Sequence, residues 1–462
     1  MGCAVGPDYK PPSFEADEWS EKNILNNEDT ETNISLAQWW KGFKDPLLEE
    51  LIIEAMDSNL ELKIAEQRII EARALRKVSR ADFFPSFGSD IGVTRQKQSL
   101  NNPNFPQGPG INIPRYQSVY DAGFDASWEI DLFGKTRRAV EAATANIQRE
   151  EAERRDITLS VISEIALNYV ELRGVEKRLN YVTQKAELQE QIVALNKASY
   201  ENDLIRETEL AEAETELADM QSQIPPLQTE RRIAAYRLGV LTSAQPGALL
   251  KRLENHKQTS FSLISIPVGL KSDLLRRRPD IQSAERNLAE ATANKGVAIA
   301  SLYPSFNLTA GIGVLSGGSS TLFEQNSENF TVTPLISIPI LQAGRLRAQI
   351  EATDARVKIA AAQYEQTILN ALEDAEASLT HYLNEQKTFT KLQEAEKSAA
   401  RTVGLEADLY DLGLTRQVAL IESQQEHAKY QDIATQSETR MFKNLISFYK
   451  ALGGGWENFA IK

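Results

Sequence analysis

Four carboxylates, Asp121, Asp125, Glu129 and Asp131, fall on odd positions of a segment that alternates in polarity. From Tyr116 to Leu132 the even positions read Tyr116, Ser118, Tyr120, Ala122, Phe124, Ala126, Trp128, Ile130 and Leu132. Side chains of an extended strand point alternately to its two faces, so the acids share one face and the rings the other. If the ring-bearing face meets lipid, the carboxylates line a hydrated lumen, and we expect a water-filled, cation-preferring path. The alternative is that some of these acids pair with Arg or Lys across strands. Catalysis finds no support. The three histidines, His256, His381 and His427, come without a glycine-rich phosphate loop, His/Cys metal spacing or nucleophile motif. Acid–base neighbours elsewhere read as solvated helix faces. We expect no enzyme, no metal and no cofactor.

The elements that carry these residues occur twice. Ala65-Glu66 … Pro85-Ser86-Phe87 returns in fixed register as Ala284-Glu285 … Pro304-Ser305-Phe306. Gly134-x-x-Arg137-x-x-x-Glu141-Ala142 returns as Gly344-x-x-Arg347-x-x-x-Glu351-Ala352, and Tyr200 … Leu204-x-Arg206-x-x-x-Leu210 as Tyr410 … Leu414-x-Arg416-x-x-x-Leu420. The register slips only at the stretch Asn101 to Pro114 of the first copy, as in a variable loop. Alternation recurs in each copy, with Phe87, Ile91 and Val93 against Ser86, Asp90 and Thr94. In the second, Phe306, Leu308, Ala310, Ile312 and Val314 oppose Ser305, Asn307 and Thr309, while Phe330, Val332, Ile336, Ile338 and Ile340 oppose Thr331, Thr333 and Ser337. Each copy thus supplies one hairpin, about 83–133 and 302–341, of strands about ten residues long, the length of a membrane β-strand. A sheet packed on a water-soluble core explains any single strand equally well. Four strands cannot close a barrel, and open edges are not tolerated in lipid, so a membrane reading requires oligomerisation.

Composition narrows the partners. A net charge of −14 argues against nucleic acid, because a polyanion needs a basic face. The single cysteine excludes an intrachain disulfide. The apolar run Leu335 to Leu341 is far shorter than the roughly 20 residues of a spanning helix. Lys135 to Ile224 contains no proline and steps its apolar positions by three and four, which is coiled-coil spacing. Turns near Glu201-Asn202-Asp203 and Leu412-Gly413 divide each run into a helix of about 65 residues, roughly 100 Å, and a returning one of about 35. The segment Pro46 to Ala81 adds another of about 35. Two half-length helices stacked end to end match one long helix, which is how a tube is built. A plain antiparallel bundle is the alternative.

The chain resembles the TolC-like outer-membrane factors, in particular the lipoprotein (NodT/OprM-type) branch that serves resistance-nodulation-division (RND) pumps. The motifs run in order along the whole sequence. They are Cys3-Ala4-Val5-Gly6-Pro7-Asp8-Tyr9-x-Pro11, Trp39-Trp40-x-x-Phe43-x-Asp45-Pro46-Leu47, Asn59-Leu60-x-Leu62, Leu274-Leu275-x-x-Arg278-Pro279-Asp280-Ile281, Tyr410-x-x-Gly413 and Ala451-Leu452-Gly453-Gly454-Gly455-Trp456. The resemblance implies a mixed α+β membrane protein and a homotrimer. Its 12-stranded outer-membrane β-barrel, four strands per chain, continues into a 12-helix periplasmic α-barrel with a mixed α/β equatorial belt. On that plan residues 1–45 form the anchor and equatorial segment, 46–242 the first repeat, 243–270 the equatorial linker, 271–455 the second repeat and 456–462 the tail. The implied function is a passive exit duct for drugs or other small substrates, fed by an inner-membrane RND transporter through a periplasmic adaptor. A channel for type I protein secretion and a soluble coiled-coil scaffold are the alternatives.

The same resemblance assigns residues. Cys3 matches the lipid-modified cysteine, where two or more acyl chains anchor stably at about 0.8 kcal/mol per buried CH₂. Met1-Gly2 brings neither a charged nor an apolar leader, so we expect a mature form restarted with methionine and lipidation in the native precursor. The tips Gly413, Leu414 and Thr415, with Asp203, Leu204 and Ile205 in the first copy, match adaptor-contacting positions. Glycine suits the left-handed exit from a helix, so Asp203 is expected to turn differently from Gly413. Glu422 and Val418 match a periplasmic gate, and Glu209 and Glu212 are the first copy's candidates. Three Glu422 carboxylates converging on an axis repel when ionised and attract cations. Ala419 stands where some relatives carry a second acidic ring, so divalent block should be weaker here.

Overall fold

A computed structural model describes residues 4–12, 36–99, 115–254 and 277–459, which fall into two compact units. The units cut across the sequence repeats. One comprises residues 1–12, 69–149 and 284–364, and the other residues 13–68, 150–283 and 365–462. Cys3, the stretch 101–114, Leu274, Leu275, His256 and most of the 243–270 linker lie outside the described residues.

The first unit holds one antiparallel sheet in the order β1 (Ser86–Lys97), β2 (Tyr116–Ile130), β3 (Ser305–Ser316) and β4 (Glu328–Ser337). Gly88 faces Asp125 on β1–β2, Asp125 faces Gly311 on β2–β3, and Gly311 faces Thr331 on β3–β4. Directly paired residues share a face, so the alternation of each strand sums to two whole faces. Phe87, Ile91, Val93, Phe124, Ile312, Phe330, Val332 and Ile336 lie together on one of them and are all exposed. A sheet packed on a water-soluble core would bury that face, and nothing among the described residues of this unit does. The strands end earlier than the alternation does: Leu132 follows β2, and Ile338 and Ile340 follow β4. Pro339, which has no N–H to donate to a ladder, falls just beyond the end of β4.

Helix α1 (Pro46–Ser58) starts on Asp45, whose carboxylate accepts from the N–H groups of Leu47 and Leu48, with Pro46 at the first helical position. Pro46 to Ala81 is not one helix as expected. Asn59 leaves helical geometry, caps α2 (Leu60–Ala81) by accepting from Glu61 and Leu62, and donates its amide to Leu241 O at 2.8 Å. Helix α3 (Lys135–Glu201) runs 67 residues, about 100 Å, and α8 (Arg345–Asp411) has the same length. In the first copy the return is α4 (Glu207–Ser222) and α5 (Ile224–Leu241), broken at Gln223 ahead of Pro225 and Pro226. In the second, α9 (Gln417–Ala451) is continuous. Short α6 (Ala248–Glu254) and α7 (Pro279–Ala300) complete the set.

The second unit has an aromatic-rich core. Trp39, on the 3-10 stretch Leu36–Phe43, stacks on Tyr449 with centroids 5.2 Å apart and donates its indole N–H to Gly454 O. Phe43, Leu48, Ile162, Leu249 and Phe442 fill the same core, so the segment before the first repeat, the start of the linker and the C-terminal end converge. Burying each such side chain contributes about 1.5–3 kcal/mol. Among the described residues no helix is long and apolar enough to cross a membrane.

Candidate functional site

The polar face of the sheet carries Asp90, Asp121, Asp125 and Glu129 with Ser, Thr, Asn, Gln and Gly, and no Lys or Arg of the four strands falls on it. Among the described residues, none of these acids meets a Lys or Arg of a neighbouring strand. Asp90 belongs to this row through its place opposite Gly123. Glycines make the row fit. A Cβ on Gly92 would lie 2.8 Å from the Asp121 carboxylate and one on Gly88 2.8 Å from that of Asp125, so both acids lean over bare backbone. The sequence signal was present, since two glycines four apart in a strand mark a close approach.

At the foot of β2 the acids change role. Glu129 pairs with Lys135 at 3.0 Å, both partly exposed. Asp131 lies beyond the strand and is half-buried, its carboxylate accepting from the backbone N–H of Arg137 and, at 3.2 Å, from its guanidinium. It holds the first turn of α3 and corrects the expectation that it faces open water. Glu129, Asp131, Lys135, Tyr303, Gln342 and Arg345 border a cavity of about 440 Å³ here.

The segment after Cys3 is seated in the same unit. Val5 N–H donates to Phe133 O at 3.0 Å, and the Arg138 guanidinium donates to the carbonyls of Val5 and Gly6 and to the carboxylates of Asp8 and Glu141. Tyr9 donates its hydroxyl to Glu285, and burial together with that carboxylate pushes the phenol well above its ordinary pKa. Further along this unit Lys295 and Lys358 hydrogen-bond Asp354 and pull its carboxyl down to about 2.

The two helical tips lie in the second unit. Asp203 N–H donates to Tyr200 O and Leu204 N–H to Ser199 O, both at 2.9 Å. Gly413 to Tyr410 and Leu414 to Leu409 repeat the pattern at the same distances. The residue past the helix is left-handed in both, Asp203 at φ 58° and Gly413 at φ 70°. The expectation that Asp203 turns differently fails, because paired bonds back to the last helical carbonyls fix the turn and aspartate tolerates it. Each tip presents a bare leucine, Leu204 75% exposed and Leu414 71%, flanked by half-buried Ile205 and Thr415. On α9, Glu422 is exposed, whereas Val418 packs against a cluster of Leu188, Ile192, Ala213 and Ile421. Glu209 and Glu212 are exposed on α4, and Glu209 lies 3.8 Å from Arg206. The gate candidates are thus acids at a solvated end, with Val418 serving the packing between helices. His381 and His427 stay far apart in sequence on α8 and α9, and no group of three His, Cys, Asp or Glu among the described residues can hold a metal.

Against known proteins, residues 51–243 and 270–454 match the family model described as outer membrane efflux protein. Nodulation protein T of Rhizobium leguminosarum bv. trifolii is 26% identical over 99% of this chain and 96% of its own. The solvent efflux pump outer membrane protein SrpC of Pseudomonas putida is 29% identical, with 98% and 96% covered. Among solved structures the outer-membrane channel OprN is similar at a TM-score of 0.86 and 31% identity, over 98% of this chain and all of that one.

Proposed function

The chain belongs to the outer membrane efflux protein family, and on that premise we propose that three copies form the passive exit duct of a tripartite efflux pump. It is a channel component with the TolC-like fold, not an enzyme. The observation that carries the assembly is the four-stranded sheet, exposed and apolar on one face, acidic on the other, whose edge strands β1 and β4 have no further partner strand among the described residues. Lipid tolerates no open edge, and three sheets joined edge to edge close at twelve strands with the acids inward. The long helices continue the wall into the periplasm. The leucine tips meet a periplasmic adaptor, which links the duct to an inner-membrane RND transporter. Glu422, with Glu212 of the first copy, narrows the periplasmic end.

Acylation of Cys3 in the native precursor adds a lipid anchor. The seating of Ala4 to Tyr9 supports this, since it leads the chain start to the residues that follow β2. The cargo, by analogy with the solvent pump relative, is small organic molecules. Native mass spectrometry of protein extracted from outer membranes tests both proposals. Three chains per particle and acyl mass on Cys3 are expected; a monomer removes the barrel, and a bare thiol removes the anchor.

A further inference from the structure

The foot of the sheet is built twice, and the two versions differ in what fills them. Gly134 and Gly344 precede their helices at φ 85° and 82°, with Arg138 N–H returning to Gly134 O at 2.9 Å and Ala348 N–H to Gly344 O at 3.0 Å. The two starts, of α3 and of α8, therefore share one backbone. In the first copy each cation there has its acid. Lys135 pairs with Glu129, Arg138 with Asp8 and Glu141, and the Asp131 carboxylate accepts from both the backbone N–H and the guanidinium of Arg137. The chain start covers the turn: a Cβ on Gly134 would lie 2.7 Å from Ala4, and Val5 N–H is bonded to Phe133 O.

The second copy keeps two of these cations and drops both of their acids. Lys135 and Arg137 return as Arg345 and Arg347, but Glu129 and Asp131 return as Pro339 and Leu341, and Arg138 returns as Ala348. Arg345 donates to the Gln342 side chain at 3.0 Å and borders the cavity of about 440 Å³. Arg347 is exposed, and among the described residues its guanidinium meets no acceptor. Above Gly344 the turn is open, with no described atom within 4 Å of where a Cβ would stand. An apolar run leads to this place. Ile336 and Ile338 are exposed, Ile340 is 92% exposed and Leu341 87%. Bare apolar side chains that end at an unpaired guanidinium mark the level where hydrocarbon gives way to charged headgroups.

We propose that the start of α8 seats a phospholipid, its phosphate held by Arg347 as the Asp131 carboxylate is held by Arg137, and its acyl chains lying along Ile336, Ile338 and Ile340. A guanidinium with its own backbone N–H already binds a carboxylate in the first copy, and phosphate oxygens accept in the same forked geometry. Two observations favour lipid over a free anion. The apolar run adjoins the cation, and the matching place in the first copy is covered by the residues directly after Cys3, the position proposed above to carry acyl chains. The inference rests on the reading of the sheet as part of a three-copy membrane barrel, and the experiment separates the two.

Native mass spectrometry of delipidated particles titrated with phosphatidylglycerol tests the seat. Three-chain particles should take up three lipids ahead of further adducts, and Arg347→Gln should weaken that binding about tenfold, the loss expected for a charge-assisted hydrogen-bonded pair. Leu341→Asp is the sharper variant. It gives Arg347 the carboxylate that Asp131 gives Arg137, and it should exclude the lipid as strongly. Leu341→Asn, similar in size but uncharged, should keep most of the binding, as should Arg345→Gln, which removes a cation that borders the cavity instead. If Leu341→Asp does not assemble, Arg347→Gln still decides. Equal losses in Arg345→Gln and Arg347→Gln would mean only a general attraction of anionic lipid to a basic surface, and would overturn the seat. Displacement of the lipid by millimolar inorganic phosphate would make it a free-anion site and overturn the lipid. Three-chain particles that bind no lipid reject the proposal, as they would if the next copy filled the place. Single chains that each hold one lipid reject the three-copy reading and keep the seat.

Discussion

The two helical tips reach one backbone from different residues, Asp203 in the first copy and Gly413 in the second. Their hydrogen bonds match to a tenth of an ångström, and both expose a leucine at the apex. What differs is cost, since a residue with a Cβ held at positive φ stores strain that glycine does not. The shape of the tip is therefore set by closure of the hairpin, and the sequence only decides how comfortably it is held. Away from the tips the copies diverge more. The first copy's long helix is tied to α9 by ion pairs, whereas on the second copy's Leu369 is 49% exposed where its counterpart Leu159 is 3%.

The largest effect expected from breaking this likeness is at the leucines. Leu414→Glu should abolish drug export while particles keep three chains, measured by drug accumulation and native mass. Leu204→Glu should do the same if both tips serve one adaptor. Unchanged export in either removes that leucine from the docking surface. Next comes the acid one turn and more past each tip. Glu422→Ala should raise resting conductance severalfold or weaken divalent-cation block, as three converging charges are lost. Glu212→Ala should do less, because its helix is broken at Gln223. No change in either quantity takes Glu422 out of the constriction. Smaller again is the cost of the turn itself: Gly413→Ala should destabilise the hairpin by about 1 kcal/mol and Asp203→Gly should stabilise it by somewhat less, read from thermal unfolding.

The smallest expected effect sharpens a contrast between the two units. In the second, burial and the nearby Asp280 raise the Asp156 carboxyl above the ordinary 3.8. The folded state then holds that proton more tightly than the unfolded one, so stability from this group falls as pH rises through the shifted value. Asp156→Asn should gain up to about 1 kcal/mol at neutral pH, with the gain closing below pH 3.8. Asp354 in the first unit runs the other way: its depressed carboxyl stabilises above 3.8 and loses that contribution as pH falls through about 2. Lys295→Met should reduce stability at neutral pH and leave it unchanged below pH 2, followed by thermal unfolding across pH.

Much of this was legible because periodicity reports burial directly. Alternation gave both faces of all four strands, and three-four spacing gave both 67-residue helices. The ends were less legible, since strand ends and helix breaks depend on local partners. Asn59 breaks a helix by capping the next one and bonding Leu241 O, a contact across 182 residues that no local pattern announces. Asp131 kept the alternation of the row it ends, but its partner Arg137 belongs to the next element. Val418 and Glu422 share a spacing, and only the packing of three helices shows that the valine is engaged within the chain. The family resemblance supplied the tips and the acid, and the glycines under Asp121 and Asp125 went unread although both stood in the sequence.

The central claim, a hydrated duct whose barrel is lined by Asp90, Asp121, Asp125 and Glu129, is tested most directly by reversal potential in a planar bilayer under a KCl gradient. The account predicts stable conducting insertions with a potential shifted toward that of potassium, and a shift that shrinks when Asp121 and Asp125 become Asn. An anion-selective potential would contradict the inward placement of the acids, and failure to conduct at all would contradict the duct.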